Sequence, residues 1–205
     1  MSLSARLWSD NSDLADEILA HPFVRGLSEG TLPRARFATY IAQDAFYLES
    51  FARAYALALA RSPDTSTLLA LADLITGVRE ELGLHASYAS SWGIDMSDVQ
   101  PLEATTAYTE FLLATAATED VGVIYAAMTP CMRLYAWLGQ SLDAERAGLY
   151  GQWVKTYADP QFENIARLLE GLLDAQADDV PAVRDAYRRA MRLELAFFEA
   201  AFQSA

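Results

Sequence analysis

At 205 residues, 53% hydrophobic and 21% charged, the chain is long and apolar enough to fold around a real core, with 1–205 expected to form one domain. A net charge of −13 repels a phosphate backbone, and the short Arg188, Arg189, Arg192 run is no adequate counter-patch, so nucleic acid is not an expected partner. The opening MSLSARLWSDNSDLADE lacks the basic and apolar regions of a signal peptide and no apolar run reaches membrane-spanning length; the expectation is a cytoplasmic protein without a membrane partner.

Ala and Leu abound while β-branched residues are sparse, which predicts an all-α protein of about eight helices. The first predicted helix runs near residues 12 to 28. GTLP, Gly30 to Pro33, closes it and opens a second, with Thr31 as the expected cap. The second reaches Arg61, and SPDT, Ser62 to Thr65, starts the third. WGIDMSDVQP, Trp92 to Pro101, is the longest predicted loop, and a helix from Leu102 to Ala117 follows it. The fifth helix carries the single cysteine, and the sixth spans Asp143 to Tyr157. ADP, Ala158 to Pro160, starts the seventh, and DDVP, Asp178 to Pro181, starts a terminal helix reaching Phe202. Antiparallel helices with short connections make a bundle, whose ligand sites lie among the helices.

Several residues interrupt the apolar stripes. On the second helix Phe37, Tyr40 and Ile41 precede Asp44, and Tyr47, Leu48, Phe51 and Tyr55 follow it at spacings of three and four. Asp44 thus stands where a hydrophobe belongs and needs either a partner or a ligand. The terminal helix repeats the pattern: Glu194 lies between Tyr187, Ala190, Met191 and Phe197, Phe198, Ala201, Phe202. Two inward acids on different helices point to a polar pocket in the core, whereas Glu49 and Glu199 fall on solvated faces. Cys131 shares a face with Met128, Tyr135 and Leu138 and follows Pro130. As a lone thiol it cannot form an internal disulfide or a multi-cysteine metal site. It is either inert packing or a nucleophile, activated if Pro130 leaves free amides beside it.

His85 follows Glu81 by one helical turn and could pair with it, but position 82 is Leu and the Glu-x-x-His repeat of iron bundles is absent. His21, before Pro22, reads as a structural residue. Acid–base chemistry then falls to carboxylates and tyrosines, with Tyr47, Tyr108, Tyr135 and Tyr157 able to edge a flat slot for a small heteroaromatic ligand.

The stretch GTLPRARFATYIAQDAFYLESFARA, Gly30 to Ala54, resembles the signature of the TenA/thiaminase II family. The likeness continues in order through ELGLHASYASSWGI, TTAYTEFL, TPCMRLYAWLG, WVKTYADPQF and ELAFFEAAF, covering nearly the whole chain. The resemblance implies a haem-oxygenase-like helical fold and a homotetramer. It also implies C–N hydrolysis in thiamin salvage: a thiolate adds to the pyrimidine of thiamin or an aminopyrimidine, and water releases hydroxymethylpyrimidine. Neither metal nor organic cofactor is expected.

Carried over by motif, Cys131 resembles the nucleophile and Tyr135 its helper. Asp44 and Tyr47 are similar to the residues that hold the pyrimidine, Tyr108 and Tyr157 to pocket tyrosines, and Glu194 to the acid of a Glu-x-x-Phe-aromatic motif; burial makes Glu194 the candidate donor to the ring nitrogen, with the division of roles between Glu194 and Asp44 open. Two positions depart from the pattern: Arg133 stands where many relatives have an aromatic residue, and Phe198 follows Phe197 where many have Trp. Arg133 faces either the site or the surface. The competing readings are an oxidative enzyme on the same fold and a pyrimidine-binding or regulatory protein without catalysis.

Overall fold

The computed structural model describes residues 1–93 and 99–204, without the side chain of Ser91, so the middle of the predicted Trp92–Pro101 loop lies outside the described residues. All regular structure among them is helical: α1 (Leu3–Asp10), α2 (Ser12–Ala20), α3 (Pro22–Ser28), α4 (Arg34–Leu59) and α5 (Thr65–Trp92). After the loop come α6 (Glu103–Thr118), α7 (Val121–Ser141), α8 (Gly151–Tyr157), α9 (Pro160–Gln176) and α10 (Pro181–Gln203). None of the described helices is long and apolar enough to cross a membrane.

Helix α1 lies before the first predicted helix, and three further boundaries differ from the sequence expectation. The predicted helix near 12 to 28 is two, because Pro22 has no N–H and drives His21 to extended backbone (φ −61°, ψ 139°). His21 then caps α3 through Nδ1, which accepts from the Phe23 N–H at 3.2 Å. Thr31 caps nothing: α4 starts at Arg34 with Pro33 in the cap position and no side-chain cap. The predicted Asp143–Tyr157 helix shortens to a turn of 3-10 helix, Gly148–Tyr150, and α8, since Gly148 adopts a left-handed φ of 57°. The expected starts at Thr65, Pro160 and Pro181 hold; Asp64 and Asp159 cap α5 and α9 by accepting from Thr67 N–H and Gln161 N–H.

The long helix α4 packs along α5 and α6, while α7 packs along α8, α9 and α10. Helix α10 also lies against α4 and α6, so α4, α5, α7 and α10 all turn faces toward one interior. Gln43 ties the start of α6 to α4: its Oε1 accepts from Leu102 N–H at 2.8 Å and from the Thr105 hydroxyl at 2.7 Å. The adjacent Asp44 is thereby free of structural capping work. At Gly139 a methyl group would collide with the Tyr157 backbone, so glycine sets the close approach of α7 to α8. The basic run makes no patch: Arg188 pairs with Asp13 at 2.7 Å and Arg189 lies over the Phe111 ring.

Candidate active site

Asp44 and Tyr47 come from α4, Glu81 and His85 from α5, Tyr108 from α6, Cys131 and Tyr135 from α7, Tyr157 from α8 and Glu194 from α10. They form one cluster, buried except for the partly exposed Glu81. The Tyr108 hydroxyl donates to Glu194 Oε1 at 2.7 Å, and the Tyr108 ring lies 4.7 Å from that of Tyr47. Glu194 and the Tyr47 hydroxyl both approach the Cys131 sulfur, although that hydroxyl has no conventional hydrogen-bond partner. The Tyr135 hydroxyl accepts from Tyr40 at 3.2 Å, and the Tyr40 oxygen also takes the Trp153 indole N–H. Tyr135 and Tyr157 meet edge to face at 4.8 Å.

An inner cavity of about 10 Å³, room for one water, is lined by Asp44, Tyr47, Glu81, Cys131, Tyr135 and neighbouring apolar side chains. Of the residues singled out by sequence, Asp44, Tyr47, Cys131 and Tyr135 therefore line this cavity. Tyr108 and Glu194 stand beside it as a bonded pair, and Tyr157 buttresses Glu81. An outer cleft of about 360 Å³ adjoins it, and Glu81, Met132 and Phe162 line both spaces. A pyrimidine ring needs more room than one water, so its passage inward requires these junction side chains to move aside.

Burial dominates the electrostatics. It raises the Glu194 carboxyl to about 7 against the opposing hydrogen bonds of Tyr108 and Cys131, and raises Glu81 to about 7 against the bond from Tyr157. Asp44 is pushed well above the usual carboxylate range by burial and then by the charges of Glu81 and Glu194. His85 is lowered to about 4 by burial and is a neutral imidazole. The Cys131 thiol is raised well above its ordinary value, by burial first and the Glu194 charge second, with the Tyr47 hydroxyl opposing. That reverses the expectation of an amide-activated thiolate. Pro130 sits inside α7, nine residues beyond its first turn's start at Val121, where a missing N–H leaves a carbonyl without its donor and frees no amide.

Three further expectations change. Glu81 does not pair with His85: its Oε1 accepts from the Tyr157 hydroxyl at 2.5 Å, while His85 Nε2 lies 3.3 Å from Asp44 Oδ2, outside hydrogen-bond alignment. Glu199 is not merely solvated, because His21 Nε2 meets it at 2.6 Å; Glu49 is exposed beside Arg53. Arg133 faces neither the site nor open solvent. It bridges Glu163 and Glu170 of α9, at 2.8 and 2.7 Å, and binds α7 to α9. Burial pushes Glu163 up, but hydrogen bonds from Arg133, Arg167 and Gln140 outweigh it and hold the carboxyl at about 2. Arg133→Met should therefore cost about 2–4 kcal/mol of stability at pH 7 without changing turnover, as read by urea unfolding. Because Glu163 is depressed, that contribution is present above its ordinary value of 4.5 and lost as pH falls through about 2.

Sequence reasoning undervalued Glu81. It continues the α5 stripe of Leu74, Val78, His85 and Tyr88 at spacings of three and four, the same signal that marked Asp44 and Glu194. Asp44, Glu81 and His85 also place one ligand-type atom each within 4.8 Å of one another. No sequence motif announces that trio, because Asp44 comes from a different helix. A divalent ion would accept such a mixed oxygen–nitrogen set. One Glu81 oxygen already accepts from the Tyr157 hydroxyl.

A model of the TENA/THI-4/PQQC family matches residues 8–204. The chain is 33% identical over 228 residues to the bifunctional TH2 protein, mitochondrial, of Arabidopsis thaliana, covering 97% of this chain and 37% of that protein. It is 29% identical over 215 residues to the aminopyrimidine aminohydrolase of Halalkalibacterium halodurans, covering 98% and 96% of the two chains. Among solved structures, a protein of Silicibacter sp. TM1040 described as a TenA family transcription regulator superposes with a TM-score of 0.89 at 28% identity, over 97% and 95% of the chains. A Shewanella denitrificans domain described as having a heme oxygenase-like fold gives 0.71 at 17% identity, over 98% and 92%, a likeness of fold alone. An all-α chain with this fold, matched from residue 8 to residue 204, belongs to the TENA/THI-4/PQQC family.

Proposed function

We propose that the chain is a C–N hydrolase of the aminopyrimidine aminohydrolase type, which releases hydroxymethylpyrimidine from an aminopyrimidine in thiamin salvage through a covalent bond to Cys131. The single observation that carries this reading is the placement of the chain's one cysteine: between the Glu194 carboxyl and the Tyr47 hydroxyl, at a cavity also lined by Asp44 and Tyr135. An inert packing thiol does not call for two buried acids, Asp44 and Glu194, and a partly exposed third, Glu81, around it. The name of the Halalkalibacterium relative, aminopyrimidine aminohydrolase, supports the same chemistry.

The raised thiol defines the first step. Cys131 enters as the neutral thiol and passes its proton to the Glu194 carboxylate as the sulfur attacks a ring carbon. Glu194 hands that proton to a ring nitrogen, so the electrons displaced by the new S–C bond end on a protonated nitrogen. Asp44 holds the ring's 4-amino group, which stays on the product, and orients the ring so that the aminomethyl C–N bond is the one that breaks. Tyr108 fixes Glu194, and Tyr135, anchored by Tyr40 and Trp153, shapes the floor of the slot. The exocyclic C–N bond then breaks with its electron pair leaving on nitrogen, water adds to the exposed methylene, and sulfur is expelled. The protein acts in the cytoplasm as a homotetramer on a small-molecule pyrimidine.

The test is turnover: the protein incubated with 4-amino-5-aminomethyl-2-methylpyrimidine, and separately with thiamin, is assayed for ammonia, thiazole and hydroxymethylpyrimidine. Stoichiometric hydroxymethylpyrimidine with ammonia or thiazole is expected. Tight binding of the pyrimidine with no product from either compound would leave a binding protein instead.

A further inference from the structure

We propose that Glu81 handles the leaving group: its carboxyl holds the departing amine nitrogen at the junction of the inner cavity and the outer cleft, then takes a proton from the water that replaces it. The inference rests on the hydrolase reading of the same site and goes beyond it by assigning the contacts to the leaving nitrogen and to the attacking water, which neither Cys131 nor Glu194 makes.

Position carries the argument. Asp44 and Glu194 are occupied on the inner side, Asp44 beside Tyr40 and His85, Glu194 between Tyr108 and the sulfur. Glu81 alone among the three acids lines both spaces, together with Met132 and Phe162. A group expelled from a ring held against Cys131 leaves through the adjoining cleft, past Glu81. At about 360 Å³ the cleft has room for a departing amine or thiazole, and its wall carries Gln152, Thr156 and Gln161. The Tyr157 hydroxyl, 2.5 Å from Oε1, fixes the carboxyl in this place. None of the side chains lining the inner cavity is a lysine or arginine, so the substrate's ammonium, before its bond breaks, meets only acids and neutral groups there; the outer cleft carries one cation, Lys155, beside the acids Glu80, Glu81 and Asp159.

The steps balance. The substrate's ammonium sits against the Glu81 carboxylate. When the C–N bond breaks, its electron pair leaves on nitrogen as neutral ammonia, and a ring-nitrogen lone pair forms the double bond to the exocyclic methylene. The ring proton returns to Glu194. Water then forms the new C–O bond and gives its proton to Glu81, Glu194 reprotonates the ring, and the thiolate is expelled as aromaticity returns and the ring proton passes back. Glu81 finally yields its proton to ammonia, which leaves as ammonium. A carboxyl raised by burial to about 7 can serve in both directions at neutral pH.

The two substrates separate this role from a structural one: the amine can leave as neutral ammonia only while it is protonated, the state that the Glu81 carboxylate holds, whereas thiamin's thiazolium nitrogen is quaternary and leaves as neutral thiazole without any proton. In single-turnover measurements at saturating substrate, Glu81→Gln should lower ammonia release from the aminopyrimidine by ~10²-fold or more. Thiazole release from thiamin in the first turnover should stay within about threefold of wild type. If the wild type turns over only the aminopyrimidine, the analogue with p-nitrophenoxide as leaving group replaces thiamin. Equal losses on both substrates, or an unaffected ammonia release, overturn the assignment while leaving the hydrolase reading intact. A wild type that turns over none of the compounds contradicts the hydrolase reading and the assignment with it.

Discussion

Cys131→Ser should lower the rate of hydroxymethylpyrimidine formation by ~10³-fold or more while leaving pyrimidine binding within a few-fold of wild type. The two halves of this expectation come from different parts of the site. A serine hydroxyl in the same place is a far weaker nucleophile, and the Glu194 carboxylate beside it is too weak a base to generate an alkoxide in a buried setting. The groups proposed to grip the ring come from other helices: Asp44 and Tyr47 on α4, Glu194 on α10, Tyr108 on α6. They do not move when one sulfur becomes oxygen. Isothermal titration with hydroxymethylpyrimidine checks the binding half, and an ammonia-coupled assay checks the rate. A variant that binds and turns over like wild type would mean that water attacks the ring's substituent directly.

Glu194→Gln should produce opposite changes in activity and stability. The carboxyl is buried and raised from 4.5 to about 7, so the fold favours its neutral form. For a carboxyl raised in this way, the contribution to stability is fully present below 4.5 and is lost as pH rises through about 7. Glutamine keeps an acceptor for the Tyr108 hydroxyl and carries no charge at any pH. The variant should therefore be more stable than wild type by about 3 kcal/mol at pH 8 and indistinguishable at pH 4, read as urea midpoints at the two pH values. Activity should fall by ~10²–10⁴-fold, because no group remains to take the thiol proton and pass it to the ring. In the wild type, kcat/KM should rise with pH through about 7 as Glu194 becomes the base that the thiol requires. A variant destabilised at pH 8 would show that the acid is a structural hydrogen-bonding group first.

The acids were legible to different degrees, for a physical reason. Asp44 and Glu194 interrupt apolar stripes on helices whose inward face is plain from spacing alone, so burial followed from periodicity. Glu81 carries the same signal, but α5 also has Glu80 and Leu82 beside it, and its pairing with His85 one turn on suggested a local explanation. Only the approach of α8, which brings the Tyr157 hydroxyl, separates the two. Arg133 could not be read at all, because Glu163 and Glu170 stand 30 and 37 residues further along the chain. The thiol's state stayed open in the sequence for a related reason. Its local sequence, a preceding proline, offered a cause for activation, whereas burial and the charge of Glu194 on α10 decide the outcome. Helix starts at Pro160 and Pro181 were legible because proline and its neighbours act locally; the loss of the predicted Asp143–Tyr157 helix turned on one left-handed glycine, Gly148.

The bond between Cys131 and the ring is the central claim, and trapping it is the direct test. Wild-type protein mixed with the aminopyrimidine, quenched with borohydride during turnover and digested, should yield the peptide spanning MTPCMRLYAWLG with a reduced pyrimidinyl-methylene group on Cys131. An unmodified Cys131 peptide at a time when product is forming, or the same label on another residue, would contradict the covalent mechanism.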